Sequence, residues 1–288
     1  MNQFSQSFWT EKRVLVTGGS SFIGSHLVDK LVSLNSEVTV IDNLSSGTKE
    51  NLSGSWEKIS FHNDDLEYIT KSQIDGLFKD IDIVFHLAAI HGGRGFITNH
   101  PADVSSNFSI DHHVFEACMN ANVENLVFAS TACVYPTKLQ NEIGSDYKLK
   151  EEDSNPLNLD GFMSADIEYG WGKLMSEMQM NAFRKQYGLK GCPVRFVTAY
   201  GPRENETHAI IALIYKAIEK MDPYEIWGDG KQERDFTYVE DFVDGMVKIM
   251  ENENAKNEIL NLTYGASRSI SEMVEILKKE FGQVDLQY

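Results

Sequence analysis

The sequence predicts an α/β fold: a doubly wound parallel sheet with helices on both faces and a smaller discontinuous lobe. Three observations predict it. Short apolar runs alternate with amphipathic segments, the order that builds a parallel sheet covered on both faces. The first run ends in a glycine-rich turn that opens a helical pattern. The chain has 288 residues, 42% of them hydrophobic, enough to bury a full core and leave material for a lobe.

The runs Arg13–Gly18, Glu37–Asp42, Ile81–Ala89, Asn125–Thr131 and Cys192–Ala199 read as buried strands. Gly24–Leu34 and Val104–Asn120 read as amphipathic helices between them. Lys138–Asp160 is polar, contains Pro156, and reads as a long loop over a cleft. His208–Lys220 is a further helix, followed by a turn at Trp227–Gly230. The expected division is a dinucleotide-binding domain of 1–197 plus 232–264, and a small lobe of 198–231 plus 265–288.

Charge narrows the partners. The chain carries 43 acidic and 26 basic residues, a formal net charge of −17. Such a surface repels phosphate backbones, so nucleic acid and anionic membranes are not expected partners. A phosphate-bearing ligand must then be held locally, by helix N-termini and a few arginines. The three cysteines, Cys118, Cys133 and Cys192, form no CxxC. Neither a disulfide framework nor a metal site is expected. Met1–Trp9 lacks the pattern of a signal peptide, and no run approaches a membrane span, so a cytoplasmic setting is expected.

Thr17-Gly18-Gly19-Ser20-Ser21-Phe22-Ile23-Gly24 follows the first strand and opens the first helix. Glycines there let backbone approach a pyrophosphate at the helix N-terminus. Asp42 lies 18 residues beyond Gly24 and ends the second strand. A carboxylate there binds ribose hydroxyls and repels a 2′-phosphate, which favours NAD over NADP. The competing reading of this stretch is a tight turn in a nucleotide-free α/β domain.

In TGGSSFIG, Asp42-Asn43-Leu44-Ser45-Ser46-Gly47, Asp65-Leu66 and His86-Leu87-Ala88-Ala89, the chain resembles the extended short-chain dehydrogenases that modify nucleotide sugars. The resemblance runs from about Arg13 to Gly282 and implies a Rossmann-type domain. It implies an NAD site made by Gly18, Ser21, Phe22, Ile23, Gly24, Asp42, Asn43, Ser46 and Gly47, with Tyr169 and Lys173 also in contact with the cofactor. Asp65 and Leu66 lie by the adenine in such proteins, Leu87, Ala88 and Ala89 line the cofactor, and Asn107 sits behind it. Ser21 departs from the family's middle glycine; its Cβ would crowd a pyrophosphate or its hydroxyl would bond to one.

Tyr169 and Lys173 have YxxxK spacing, which puts them on one helix face. An ammonium beside a phenol is expected to lower the phenol's pKa, so that the phenolate can take a proton from a sugar hydroxyl. The resemblance adds Thr131 as the hydroxyl that contacts the reacting oxygen; otherwise Thr131 is a β-branched strand residue.

Oxidation at C4 of a sugar acidifies the hydrogens at C3 and C5, and inverting those centres needs an acid and a base. Cys133 and His208 are the candidates. Ala132-Cys133 resembles the GDP-mannose 3,5-epimerases and GDP-fucose synthases, which place an acid/base cysteine there. His208 falls where the fucose synthases have a histidine. The alternatives are a small buried cysteine, as expected for Cys118 and Cys192, and a helix-start histidine. His86, His91, His112 and His113 are read as structural or loop residues, with His91 a candidate for the sugar pocket. The loop of Gly92, Gly93 and Arg94 resembles the sugar-contacting loop of the 3,5-epimerases.

Tyr200-Gly201-Pro202-Arg203 and Trp227-Gly228-Asp229-Gly230-Lys231-Gln232-Glu233-Arg234 also match the family. Arg203 and Arg234 are thus implied on the substrate side, Arg234 against the diphosphate. Thr198 stands where an asparagine often holds that group. The expected function is an NAD-dependent nucleotide-sugar epimerase with proton exchange at C3 and/or C5 through a transient 4-ketone. Alternatives are a nucleotide-sugar 4-epimerase, on a UDP-hexose or UDP-hexuronate, a 4-keto-sugar epimerase/reductase, and a non-catalytic dinucleotide-binding protein. A homodimer through 104–120 and 169–187 is carried over by analogy.

Overall fold

The computed structural model describes residues 4–140, 147–155, 164–206, 208–221, 224–226, 228–282 and 286–287. Parts of the loop predicted over 138–160, including Pro156, and Trp227 of the predicted turn lie outside the described residues. No helix among the described residues is long and apolar enough to cross a membrane.

A seven-stranded sheet forms the centre. Its strands are β1 (Arg13–Thr17), β2 (Glu37–Ile41), β3 (Ile59–His62), β4 (Ile83–His86), β5 (Asn125–Thr131), β6 (Gly191–Phe196) and β10 (Leu260–Leu262). The spatial order is β10-β6-β5-β4-β1-β2-β3, with every pair parallel. This is the Rossmann-type doubly wound sheet, and the order reverses beside β1, where such sheets open a crevice at their carboxyl ends.

Successive side chains of a strand point to opposite faces. In β1, Val14 and Val16 enter one core and Leu15 the other. The first core packs β1 against helices α1 (Gln6–Trp9), α2 (Phe22–Ser33) and α10 (Val239–Glu251), through Trp9, Leu27, Leu31, Val243 and Met246. The second packs α3 (Lys71–Phe78), α6 (Asn107–Asn120) and α8 (Ile167–Tyr187), through Phe78, Val114, Phe115 and Met180. Each such fully buried side chain contributes about 1.5–3 kcal/mol. Helix α8 ends at Gly188, left-handed at φ 79°, whose N–H donates to Arg184 O.

Short helices α4 (Arg94–Asn99) and α5 (Pro101–Ser105) carry the chain from β4 to α6, and α7 (Thr137–Gln140) follows β5. A separate three-stranded sheet joins β7 (Thr198–Tyr200), β9 (Glu233–Tyr238) and β11 (Ser267–Ser269), in the order β11-β9-β7. Strands β8 (Tyr224–Glu225) and β12 (Leu286–Gln287) pair beside it. Helices α9 (Ala209–Ile218) and α11 (Ile270–Phe281) cover this lobe, packing Ile210, Leu213 and Val274 with Phe236 of β9.

The structure departs from two element expectations and adds one strand. Strand β9, placed with the large domain, pairs with β7 and β11; its Phe236 is buried with the lobe's core. Strand β4 stops at His86 rather than Ala89, because Ala88 N–H donates to the Thr17 side chain and the Ile90 backbone bonds to Asn107. Strand β3 was not anticipated: its sequence, Ile59-Ser60-Phe61-His62, is only partly buried at the sheet edge.

Candidate active site

The turn after β1 is built by close approach. Gly18 has φ 71°, and a Cβ there would stand 2.8 Å from Ala88 N. A Cβ on Gly24 would stand 2.1 Å from Gly18 O. Only glycine lets these backbones nest, and α2 starts directly after the nest, at Phe22, with its first-turn N–H groups free of partners within the helix. Ser21 sits at φ −78°, ψ 179°, a conformation open to any residue. Its hydroxyl donates to Gly18 O at 2.6 Å, so the side chain closes the turn itself.

Asp42 ends the β2 run, buried, with Oδ2 accepting from Ser20 N at 2.9 Å and Oδ1 from Leu44 N at 2.8 Å. A cleft opens beside it, lined among others by Gly18, Ser21, Asp42, Asn43, Ser46 and Leu87. Asp65, Leu66, Ala88, Ala89 and His91 complete its far wall. Asn43 Nδ2 donates to Asp65 Oδ2 at 2.9 Å, and His113 Nδ1 donates to Leu66 O at 3.1 Å, which fixes that wall. Gly47 lies behind the cleft: a Cβ on it would strike Ser20. The cradle at Gly18 and Gly24, together with the Asp42 carboxylate, fits the pyrophosphate and ribose of a dinucleotide.

Asn107 is fully buried. Its Oδ1 accepts from Ile90 N at 2.7 Å, and its Nδ2 donates to Ile90 O at 2.8 Å and Val104 O at 3.0 Å. Both amide protons are used, so Asn107 fixes the backbone at Ile90 and Val104.

Tyr169 and Lys173 lie on α8, facing β5 and α6. Burial pushes the Tyr169 phenol up, and the nearby Cys133 and Asp111 add to that, while Thr131 opposes it. The expected net lowering of this phenol is not what its protein surroundings give. Lys173 Nζ lies 3.3 Å from each oxygen of Asp111, and both residues are buried. Asp111 also meets His86 Nε2 at 3.0 Å, and His86 Nδ1 meets Thr17 Oγ1 at 2.7 Å. Burial pushes the Asp111 carboxyl up, but Lys173 and His86 outweigh it and hold the carboxyl below its ordinary value. Asp111 was missed from sequence, and His86 was read as structural; no local motif marks a contact between β4, α6 and α8.

Of the two hydroxyls that end β5, Ser130 turns inward and donates to Glu177 Oε1 at 2.5 Å. Thr131 turns toward the site, where its Oγ1 accepts from Cys133 N at 3.2 Å. Burial raises the Cys133 thiol and Asp166 adds to that; Thr131, Arg94 and Arg234 pull it back by less. Arg94 forks onto Asp166, with Nη2 donating to Oδ1 at 3.2 Å. Arg234 Nη1 donates to Glu233 O at 2.7 Å. Gly92 and Gly93 precede α4, and a Cβ on Gly92 would meet the Phe96 side chain at 2.8 Å.

His208 precedes α9, and its Nδ1 lies 2.8 Å from Glu204 Oε1. The other oxygen, Glu204 Oε2, is buried without a partner among the described residues. His91 has an exposed surface but protein packed around it on the cleft wall. That surrounding lowers its imidazole to about 4, and the charges of His208 and Lys173 add to the effect. Thr198 is half-buried in β7. Arg203 points elsewhere: its Nη2 donates to Asp29 Oδ2 of α2 at 2.8 Å. The remaining cysteines, Cys118 and Cys192, are buried and unpaired, away from this group.

The profile of the family described as "NAD dependent epimerase/dehydratase family" matches residues 14–263. A putative UDP-glucose 4-epimerase of Methanocaldococcus jannaschii is 32% identical over 93% of this chain and 82% of its own length. The GDP-mannose 3,5-epimerase 1 of Oryza sativa subsp. indica is 31% identical over 94% and 70%. Among solved structures, the UDP-N-acetylglucosamine 4-epimerase of Methanobrevibacter ruminantium, in complex with UDP-N-acetylmuramic acid, superposes with a TM-score of 0.83. It is 30% identical and the match covers 96% of this chain and 86% of that one.

Proposed function

The chain belongs to the NAD-dependent epimerase/dehydratase family, and from that premise we propose that it is a nucleotide-sugar epimerase acting through a transient 4-keto sugar, with proton exchange at C3 and/or C5. The observation that carries the reading is the position of Cys133. Its thiol shares the hydroxyl of Thr131 with the Tyr169 phenol, and it lies in the fields of Arg94 and Arg234.

The Gly18 turn, the first turn of α2 and Asp42 would hold NAD, with Asp65, Leu66, Ala88 and Ala89 along it. Bound there, NAD would supply the hydride chemistry at C4. Tyr169 takes the O4 proton as general base and later gives it back, with Thr131 orienting O4. Once C4 is a ketone, Cys133 and His208 move protons at C3 or C5, with Glu204 orienting the His208 imidazole. Arg94 and Arg234 bring positive charge to an anionic substrate in a chain whose net charge is −17. The sugar nucleotide then sits between the large sheet and the β7-β9-β11 lobe. A homodimer through α6 and α8 belongs to the same reading, supported by Trp171, Met175 and Met178, which are exposed on α8.

A 4-epimerase is the second reading, favoured by the relatives that carry that name. It needs Thr131, Tyr169 and Lys173 but no proton exchange on carbon. The discriminating experiment is NMR of GDP-, UDP-, dTDP- and CDP-hexoses incubated with the protein and NAD in D2O. Deuterium at C3 or C5 is the expected result. Inversion at C4 without deuterium overturns the role of Cys133 and His208 and leaves the 4-epimerase.

A further inference from the structure

We propose that the buried pair Arg195 and Glu177 is a positioning device for Thr131 and Cys133: Glu177 holds Ser130 on one side of them, and Arg195 holds Tyr135 on the other. This rests on the reading above only in taking Thr131 and Cys133 as groups that meet the substrate.

Thr131 and Cys133 lie where strand β5 gives way to a single 3-10 turn, Ala132–Val134. Inside this stretch the bonds are local: Cys133 N donates to Thr131 Oγ1 at 3.2 Å, and Tyr135 N donates to Ala132 O at 3.1 Å. One turn of 3-10 helix is a weak element on its own. Its two ends, however, meet the same buried ion pair. Before it, Ser130 Oγ donates to Glu177 Oε1 at 2.5 Å. After it, the Tyr135 hydroxyl accepts from Arg195 Nη1 at 3.1 Å and donates to Asn261 Oδ1 at 2.6 Å. Arg195 Nε and Nη2 close the circuit by forking onto Glu177, at 2.9 and 2.7 Å. The guanidinium carbon also lies 4.9 Å from the centroid of the Tyr135 ring. Ser130, Tyr135, Glu177 and Arg195 are all buried, so little water competes for these bonds.

The circuit reaches two further parts of the chain. Glu177 shares α8 with Tyr169, so the Ser130 bond sets β5 against the helix that carries the phenol. Arg195 Nη1 also donates to Glu151 O at 2.9 Å, and Asn261 N donates to Glu151 Oε1 at 2.9 Å. A segment of the loop expected over the cleft is thereby fastened to the same guanidinium. The residue types follow from this task. An apolar pair of like volume would fill the space with equal or greater stability, but it would direct no bonds. The planar fork of arginine fixes a carboxylate, a phenol and a carbonyl at set angles; lysine, a point donor on a flexible stem, would not.

The test is alkylation of the folded protein by iodoacetamide, read by mass spectrometry of the Cys133 and Cys118 peptides. It is run without sugar, so that an error in the substrate assignment cannot move it. Cys133 reports on the turn, and Cys118, fully buried in the second core, reports on opening of the whole domain. Two variants are compared with the wild type. Tyr135→Phe removes one hydroxyl and leaves the ion pair in place. The double variant Arg195→Met, Glu177→Leu removes both anchors and keeps the space filled. Each should raise the Cys133 rate by about tenfold or more, the weight of one hydrogen bond to a charged group in a local opening, with Cys118 unchanged. A purely structural role would raise both cysteines together or neither, and either result overturns the proposal. Tyr135→Phe alone decides the matter if the double variant does not fold.

Discussion

The carbonyl oxygen of Cys133 lies 2.3 Å from the point that a Cβ on Gly170 would occupy. The same carbonyl accepts from Asp166 N at 2.8 Å, just before α8 begins. The loop carrying Cys133 and the helix carrying Tyr169 are thus joined backbone to backbone. Gly170→Ala must push them apart. Turnover should fall by about 10²-fold, the cost of displacing reacting groups by about 1 Å, while NAD binding, which uses none of these atoms, is retained. Equal loss of both in steady-state kinetics and NAD titration would show that the contact has no special bearing on the site.

Cys133→Ser should abolish deuterium incorporation at C3 and C5 while hydride cycling at C4 continues. The raised thiol also predicts slow alkylation by iodoacetamide at neutral pH, rising as pH passes above the ordinary thiol range of about 8.5. Mass spectrometry of the Cys133 peptide measures this directly. Fast alkylation at pH 6 would contradict the burial argument.

Two imidazoles set a pH dependence of stability. His86 and His91 both have lowered pKa values in the folded protein, His91 at about 4. As pH falls below the ordinary 6.5, the unfolded chain binds protons that the native protein refuses, so stability falls. For His91 this loss runs from 6.5 down to about 4. Protonation of the many carboxylates relieves self-repulsion and works in the opposite direction, so the comparison is with His91→Gln. The urea midpoint of the wild type should drop relative to that variant over this window; parallel curves would remove His91 from the account.

Arg195 and Glu177 form a second buried pair, with bonds of 2.9 and 2.7 Å and side chains 1% and 3% exposed. Glu177→Ala leaves an uncompensated guanidinium and should cost about 3–5 kcal/mol in urea unfolding. The double variant Arg195→Met, Glu177→Leu should recover most of that. If the single variant is as stable as the wild type, water reaches Arg195.

The legible parts of this protein are local. Thr17–Gly24 could be read because strand, glycines and helix are contiguous, and Tyr169 with Lys173 because four residues bring a helix back to one face. Thr131 was marked only by the resemblance; by its place alone it is a β-branched residue at a strand end. Asp111 could not be read, since its meaning depends on β4 and α8 arriving at α6 from distant parts of the chain. Arg203 was legible as a motif, but its left-handed backbone, φ 67°, and the carboxylate of Asp29 send the side chain to α2. The same limit applies to Tyr169: spacing places it beside a lysine but is silent on who else holds that lysine.

The two buried ion pairs have a joint consequence for α8. Lys173 and Glu177 are one turn apart on that helix and opposite in charge, yet each is matched to a partner on another element rather than to the other. Sliding α8 by one turn, about 5.4 Å, would bring the Glu177 carboxylate to the place where Asp111 receives Lys173. Two anions would then face each other out of water, a far costlier arrangement than a poorly packed leucine. Apolar side chains alone would tolerate such a slip better, because one hydrophobic turn resembles the next. The alternation of charge works as a key cut along the helix: only one axial position fits, and it is the position that sets Tyr169 opposite Thr131.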